Sequence, residues 1–322
     1  MEFFENLWLI GAGPMARSYA AVLKAQSVDF QVIGRGTASA DAFEQATGVS
    51  VLRGGLDAAL DEFPVPQQAI VAVGVEHLAP LAHRLISAGC RRILLEKPGS
   101  LYPAELEAVH AVAKANGANV WVAYNRRFYA SVQKLRQLSA LDGGITSAVF
   151  EFTEWSHRLI DLKEPLEVKQ HWLLANSSHV IDLVFHLIGL PAEGHWECWH
   201  SGSLDWHSAA ARFHGSGVSE REIPFSYHAD WEAPGRWGLE LLTRQNRYLL
   251  RPMEELQVIP LGSVKEQPIV LDDALDIQFK PGLFCQCEAF LNGNPSQTDW
   301  LCSLEDQLRA FPTYCRIAGY SL

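Results

Sequence analysis

A short apolar run, Leu7-Trp8-Leu9-Ile10, leads directly into Gly11-Ala12-Gly13-Pro14-Met15-Ala16 and then into a helical pattern reaching about Ala25. A strand that ends in G-x-G-x-x-A and opens a helix constrains the chain more than any other feature. Gly11 permits the tight turn, Gly13 lets an anionic group approach the backbone, and Ala16 is small enough for close helix–strand packing. Pro14 suits the first helical turn, where no amide donor is needed. Gly13 and Met15 then present free amides, and with Pro14 they form the positive end of a helix dipole, which favours a phosphate. The pattern continues through residues 30–33, 50–52, 69–73, 92–96 and 120–123, each strand-like, with helix-like stretches between them. Such alternation implies βαβ units and a parallel sheet.

The pattern changes after about Tyr124. Residues 130–138 read as a helix and 147–153 alternate as a strand. From Trp196 to Leu250 strand-like segments follow one another, and two helices, near 283–291 and 300–317, close the chain. Strands in succession imply a mainly antiparallel sheet with helices on one face. The expected architecture is α/β: a dinucleotide-binding Rossmann domain over 1–123 and an α+β domain with a large, mainly antiparallel sheet over 124–322.

Composition removes several function classes. The chain has 322 residues and a formal net charge of −11. A surface that acidic disfavours nucleic-acid binding, which needs a basic face to release phosphate counterions. No apolar run approaches the roughly 20 residues that span a bilayer. The acidic start, MEFFENLWLIGAG, lacks the basic region of a signal peptide. Six cysteines without a C-x-x-C pair point to reduced thiols, so a cytoplasmic setting is expected. Eight of the ten tryptophans and nine of the twelve histidines lie after residue 150, a composition that suits either a pocket for a polar ring or aromatic core packing.

The second strand ends in Ile33-Gly34-Arg35-Gly36-Thr37. An acidic residue here would bind a ribose 2′-hydroxyl. Arg35 stands there instead, and a guanidinium pairs with a 2′-phosphate, so NADP(H) is favoured and NAD(H) remains possible. Thr37, Val73 at the end of the 69–73 run and His77 just after it complete the expected cofactor contacts. Glu96-Lys97-Pro98 lies at the carboxyl end of a parallel strand, where open α/β sheets hold ligands. Pro98 biases Lys97 toward an extended backbone. There its ammonium can stabilise alkoxide character on a reacting oxygen.

Residues 176–189 read as a helix, capped at Asn176 or a following serine and stopped by Gly189. His179, Asp182 and His186 fall three and four apart on one stripe, and every other residue from Val180 to Ile188 is apolar. Such a stripe either faces a polar cavity, where a histidine exchanges protons near neutral pH, or lies on a half-exposed helix. His195, Glu197, Cys198 and His200 are close in sequence, but on a strand they point to opposite sides. No metal is expected there or at the helical trio, which has only one carboxylate.

The order of GAGPMA at 11–16, EKP at 96–98, YNRRF at 124–128 and HVIDLVFHLIG at 179–189 resembles the glucose–fructose oxidoreductase / inositol dehydrogenase (Gfo/Idh/MocA) family. The run from Phe290 to Asp299 is similar to that family's closing region. The resemblance implies hydride transfer between a nicotinamide cofactor and a carbinol or ketone of a sugar, cyclitol or nucleotide-sugar. It implies Glu96 and Lys97 beside the cofactor, Lys97 near the reacting oxygen, Asp182 on the substrate and His186 as general acid/base. It also implies that Tyr124, Asn125 and Arg126 link the cofactor domain to the substrate pocket, with His179 nearby, and that the open sheet face makes a homodimer or homotetramer. Two departures stand out: Val73-Gly74-Val75-Glu76-His77 where many relatives have Thr-Pro, and Asn176-Ser177-Ser178 in place of a glycine-rich lead-in. Two other readings fit the same fold: a reductase of a flat, non-sugar substrate such as a bilin, and a nucleotide-sensing protein without catalysis.

Overall fold

The computed structural model describes residues 7–293 and 298–320. They divide into two compact units. The first runs to Asn125 and adds Leu275–Arg309; the second is Arg126–Ala274 with the chain from Ala310 onward. The part of the 290–299 run at 294–297 lies outside the described residues, as do the first six residues.

In the first unit, strands and helices alternate: β1 (Leu7–Ile10), α1 (Pro14–Ala25), β2 (Gln31–Ile33), α2 (Thr37–Thr47), β3 (Val51–Leu52), α3 (Gly55–Glu62), β4 (Gln68–Val71), α4 (Val75–Ala88), β5 (Arg92–Glu96), α5 (Pro103–Asn116) and β6 (Asn119–Ala123). The six strands pair in parallel in the order β6-β5-β4-β1-β2-β3. β1 and β4 lie at its centre, and Leu9, Ile70 and Leu94 are fully buried. Buried on both faces, such strands need the continuous Val/Ile/Leu runs this sequence carries. Ala16, Tyr19, Ala20 and Leu23 of α1 are likewise fully buried.

The first unit also takes a segment that the sequence pattern assigns to the second domain. A helix over Leu283–Asn292 packs on α1, and Gln26 Nε2 donates to the Phe284 carbonyl at 3.0 Å. Residues expected to begin the last helix instead form a two-residue strand, Cys302–Ser303, paired antiparallel with Val122 and Trp121 of β6. An edge strand leaves backbone donors and acceptors open, and this short strand satisfies them. Arg92 of β5 lies over Trp121, 4.9 Å from the ring centroid, and donates to the Phe290 carbonyl at 2.5 Å.

The second unit begins with α6 (Ala130–Leu141) and β7 (Ser147–Phe152). Two short helices follow, α7 (Ser156–Leu159) and α8 (Leu166–Gln170), then a π-helical turn over Leu173–Ser177 and α9 (Ser178–Ile188). Seven more strands complete it: β8 (Pro191–Ser201), β9 (Arg212–Ser219), β10 (Pro224–Asp230), β11 (Trp237–Leu242), β12 (Asn246–Leu250), β13 (Gln257–Pro260) and β14 (Gln267–Pro268). The eight-stranded sheet has the order β14-β13-β12-β11-β7-β10-β9-β8; only β7 and β10 pair in parallel. Phe185 of α9 meets Phe150 and Phe225 edge-to-face, with centroids 5.8 and 5.4 Å away, which fixes the helix on the sheet.

Candidate functional site

The turn after β1 builds a crevice in the first unit. Gly11 has φ +123°, and an added Cβ would sit 2.2 Å from the Ala72 carbonyl oxygen. Only glycine fits there. Gly13 differs: a Cβ on it would meet no protein atom within 4 Å. Nothing inside the unit requires glycine at 13, so the space left by its missing side chain is available to a bound group. The first turn of α1 has no side-chain cap and no acidic residue. Its amides therefore stay open toward an anion.

The crevice encloses about 620 Å³. Gly11, Gly13, Pro14, Met15, Arg35 and Val73 line it, and His77 from α4 joins them. The Arg35 guanidinium donates to His77 Nε2 at 3.4 Å. Arginine has no acceptor, so that ring nitrogen accepts. Glu76 stands 3.8 Å from the same nitrogen. Thr37 opens α2 and does not line this crevice; Ser39, which the pattern did not single out, does.

Glu96 and Lys97 lie outside the lining. Glu96 accepts from the Tyr19 hydroxyl at 2.6 Å, and burial pushes its carboxyl up against the pull of Lys97 and Lys280. The Lys97–Pro98 peptide is cis, and Gly99 N donates to the Glu96 carbonyl at 3.0 Å. Lys97 opens the turn that follows β5.

The 124–126 motif is divided between the units. In the first, Tyr124 is buried and Asn125 Nδ2 donates to the Pro281 carbonyl at 2.8 Å. Arg126 opens the second, its guanidinium 4.6 Å from the Trp237 ring centroid.

Spacing does place His179, Asp182 and His186 on one helix, α9, with Gly189 (φ +87°) ending it. Their surroundings differ from expectation. Every α9 residue except His186 is buried, so the helix is a core element rather than a half-exposed one. Asn176 does not cap it. The chain enters through the π turn, and Asn176 Nδ2 and Ser177 Oγ both donate to Glu154 Oε1, at 2.8 and 2.7 Å. Asp182 is 2% exposed, and Arg127 occupies both its oxygens: Nε donates to Oδ2 at 2.8 Å and Nη2 to Oδ1 at 2.6 Å. The Tyr314 hydroxyl adds a third donor at 3.3 Å. That carboxylate is committed to holding α9, and the arginine that holds it was missed because 55 residues separate the pair.

His186 is held neutral. Burial pushes its pKa down to about 2, helped by the charges of Arg127, Arg136 and Arg221. A ring with so low a pKa is neutral at neutral pH and lacks the imidazolium proton of a general acid. His179, also buried, lies beside Trp237, their centroids 6.3 Å apart. On β8, backbone carbonyls engage His195 Nδ1 and His200 Nε2, at 2.9 and 3.0 Å. Among the described residues no helix is long and apolar enough to cross a membrane.

The fold and the glycine turn define a nucleotide-binding α/β domain joined to a second sheet domain. Residues 6–124, less than half of the chain, match the family model described as "Oxidoreductase family, NAD-binding Rossmann fold", that of the Gfo/Idh/MocA oxidoreductases. No curated protein matches the chain in sequence. Among solved structures, it is similar to UDP-N-acetylglucosamine 3-dehydrogenase GnnA from Acidithiobacillus ferrooxidans, at 16% identity and TM-score 0.74, covering 97% of this chain and 95% of that one. A putative NADPH-dependent oxidoreductase from Desulfitobacterium hafniense gives 14% identity and TM-score 0.77, over 97% and 94%. Levoglucosan dehydrogenase in complex with NADH and levoglucosan gives 17% identity and TM-score 0.75, over 97% and 95%. At these identities the likeness is one of fold.

Proposed function

We propose that this chain is an NAD(P)-dependent oxidoreductase acting on a carbinol or ketone of a small polyhydroxylated molecule: a sugar, cyclitol or nucleotide-sugar. The observation that carries the reading is Gly13, a glycine the protein does not need for its own packing, at the mouth of a crevice beside uncapped helix amides. The nicotinamide cofactor supplies the hydride acceptor or donor when bound. The α1 amides hold its pyrophosphate. Arg35, with Ser39 and His77 beside it in the crevice, favours a 2′-phosphate, and thus NADP(H).

Lys97 stabilises negative charge on the reacting oxygen. Proton transfer falls to His179 rather than His186, because burial, helped by nearby arginines, leaves His186 neutral and weakly basic. Asp182 acts as a positioning residue through Arg127. Phe150 faces α9, so alternation turns its neighbour Val149 to the opposite face of the second sheet, which we assign to a homodimer or homotetramer contact. Reduced thiols fit a cytoplasmic enzyme.

The test is turnover of a panel of sugars, polyols and their ketones, followed by nicotinamide absorbance with each cofactor. Consumption or formation of reduced cofactor that depends on both enzyme and sugar supports the proposal. Cofactor binding without turnover of any member, under conditions where a related sugar dehydrogenase is active, would favour the sensing alternative.

A further inference from the structure

Close to His179 the second unit carries an unusual alternation of guanidinium groups and indole rings. Trp237, whose ring lies 6.3 Å from that of His179, has Arg126 and Arg236 each 4.6 Å from its centroid. Arg236 also reaches Trp155, at 5.1 Å, and Arg158 lies 4.6 Å from the same ring. The ladder therefore runs Arg126–Trp237–Arg236–Trp155–Arg158 and ends at the surface, where Trp155 is 38% exposed and Arg158 is exposed.

Local structure fixes this arrangement. Trp155 follows β7, and Arg236 immediately precedes Trp237, the first residue of β11, the antiparallel neighbour of β7, so the two segments meet at one sheet end. Trp155 Nε1 donates to the Gly235 carbonyl at 2.8 Å, which pins the outer ring. Glu154, 2% exposed and held by Asn176 and Ser177, meets Arg236 Nη1 at 3.4 Å. It orients Arg236 without saturating it.

One cation over an indole is worth about 0.5–1 kcal/mol at an exposed site. Here each ring carries two. Like charges so close repel; Glu154 pairs directly with Arg236 alone, and Arg126 feels the charges of Glu254 and Glu154 only at longer range. Among the described residues, neither Arg126 nor Arg158 has a carboxylate within ion-pair distance. In a chain of net charge −11 this local surplus of cations is conspicuous. A guanidinium stacked on a ring keeps its in-plane N–H groups available, and their fork suits a carboxylate or phosphate.

We propose that the ladder binds an anionic substituent of the substrate, a carboxylate or a phosphate, and that the preferred substrates are acidic or phosphorylated sugars rather than neutral ones. The inference rests on the proposed function only for its turnover arm. The anion sits along the arginines while the exposed face of Trp155 packs a sugar ring or other flat group. His179 lies one ring from the inner end.

The test compares glucose with glucuronate and with glucose 6-phosphate, using the full chain. Calorimetry reads binding, and turnover with the preferred cofactor reads KM and kcat/KM. At least one anionic sugar is expected to bind about tenfold or more tightly than glucose, with the gain in KM and shrinking as salt rises. Which anion gains tells carboxylate from phosphate. Arg236→Gln and the exposed Arg158→Gln are expected to bring the anionic-to-neutral ratio toward one. Equal binding of all three sugars to the wild type would overturn the ladder as an anion site, and so would a preference that survives both substitutions. If no sugar is turned over but the anionic preference in binding stands, the oxidoreductase reading fails and the anion site remains.

Discussion

The two units place their polar chemistry in opposite ways. In the first, the crevice is made of backbone: the Gly11–Gly13 turn, the open amides of α1, and side chains such as Arg35 and His77 that stay near water. In the second, the polar groups are side chains taken into the core: Asp182 clamped by Arg127, Glu154 held by Asn176 and Ser177, and His186 kept neutral among arginines. A backbone site costs little folding energy and depends on a few glycines. A buried side-chain site couples stability to the same residues that surround the chemistry, because each charge removed leaves a partner stranded.

The largest effect that sharpens this contrast is at the clamp. Asp182→Ala leaves the Arg127 charge buried and uncompensated and should cost about 3–5 kcal/mol in denaturant unfolding. Arg53, whose ion pairs with Asp41 and Glu44 lie at the surface of the first unit, should leave the unfolding midpoint nearly unmoved when changed to Ala. Comparable losses at both would erase the distinction between the units.

The two histidines of α9 give the next effect. His179→Ala should lower kcat by about 100-fold or more with cofactor affinity intact, whereas His186→Ala should change kcat by less than about threefold. The reverse order in steady-state kinetics would return proton transfer to His186.

His186 also predicts a pH dependence of stability. The folded chain withholds a proton from it down to about pH 2, while the unfolded chain takes one near pH 6.5. The unfolded state binds more protons in that window, so this group makes stability fall as pH drops below 6.5. The slope contributed is at most about 1.4 kcal/mol per pH unit. His186→Gln should flatten the profile by that amount, and an unchanged slope would show that the ring protonates readily in the fold.

The smallest effect separates the two glycines of the turn. Gly11→Ala meets the Ala72 carbonyl and should lower both stability and cofactor affinity. Gly13→Ala meets no protein atom, so stability should hold while cofactor affinity falls about tenfold. A loss of stability at Gly13 would show that the glycine serves the fold rather than a ligand.

What spacing reveals follows the same division. The glycine turn, the βα alternation and the single stripe of α9 are local patterns, and local patterns carry them. Spacing places Asp182 and His186 on that stripe but carries nothing about what stands opposite, so Arg127 and Arg221 changed their meaning. The Arg–Trp ladder joins residues from positions 126, 155 and 236, with no local signal beyond a tryptophan-rich second half. The strand at Cys302–Ser303 was hidden because its cause is an open edge at β6, far away in sequence.

The most direct test of the account is a parallel titration of the purified chain with NADPH and NADH, read by fluorescence, on the wild type and on Arg35→Ala. The account predicts that the wild type binds both and prefers NADPH by about tenfold, and that Arg35→Ala loses most of that preference while keeping NADH within about twofold. Binding of neither cofactor would contradict the assignment of the crevice and, with it, the proposed oxidoreductase chemistry.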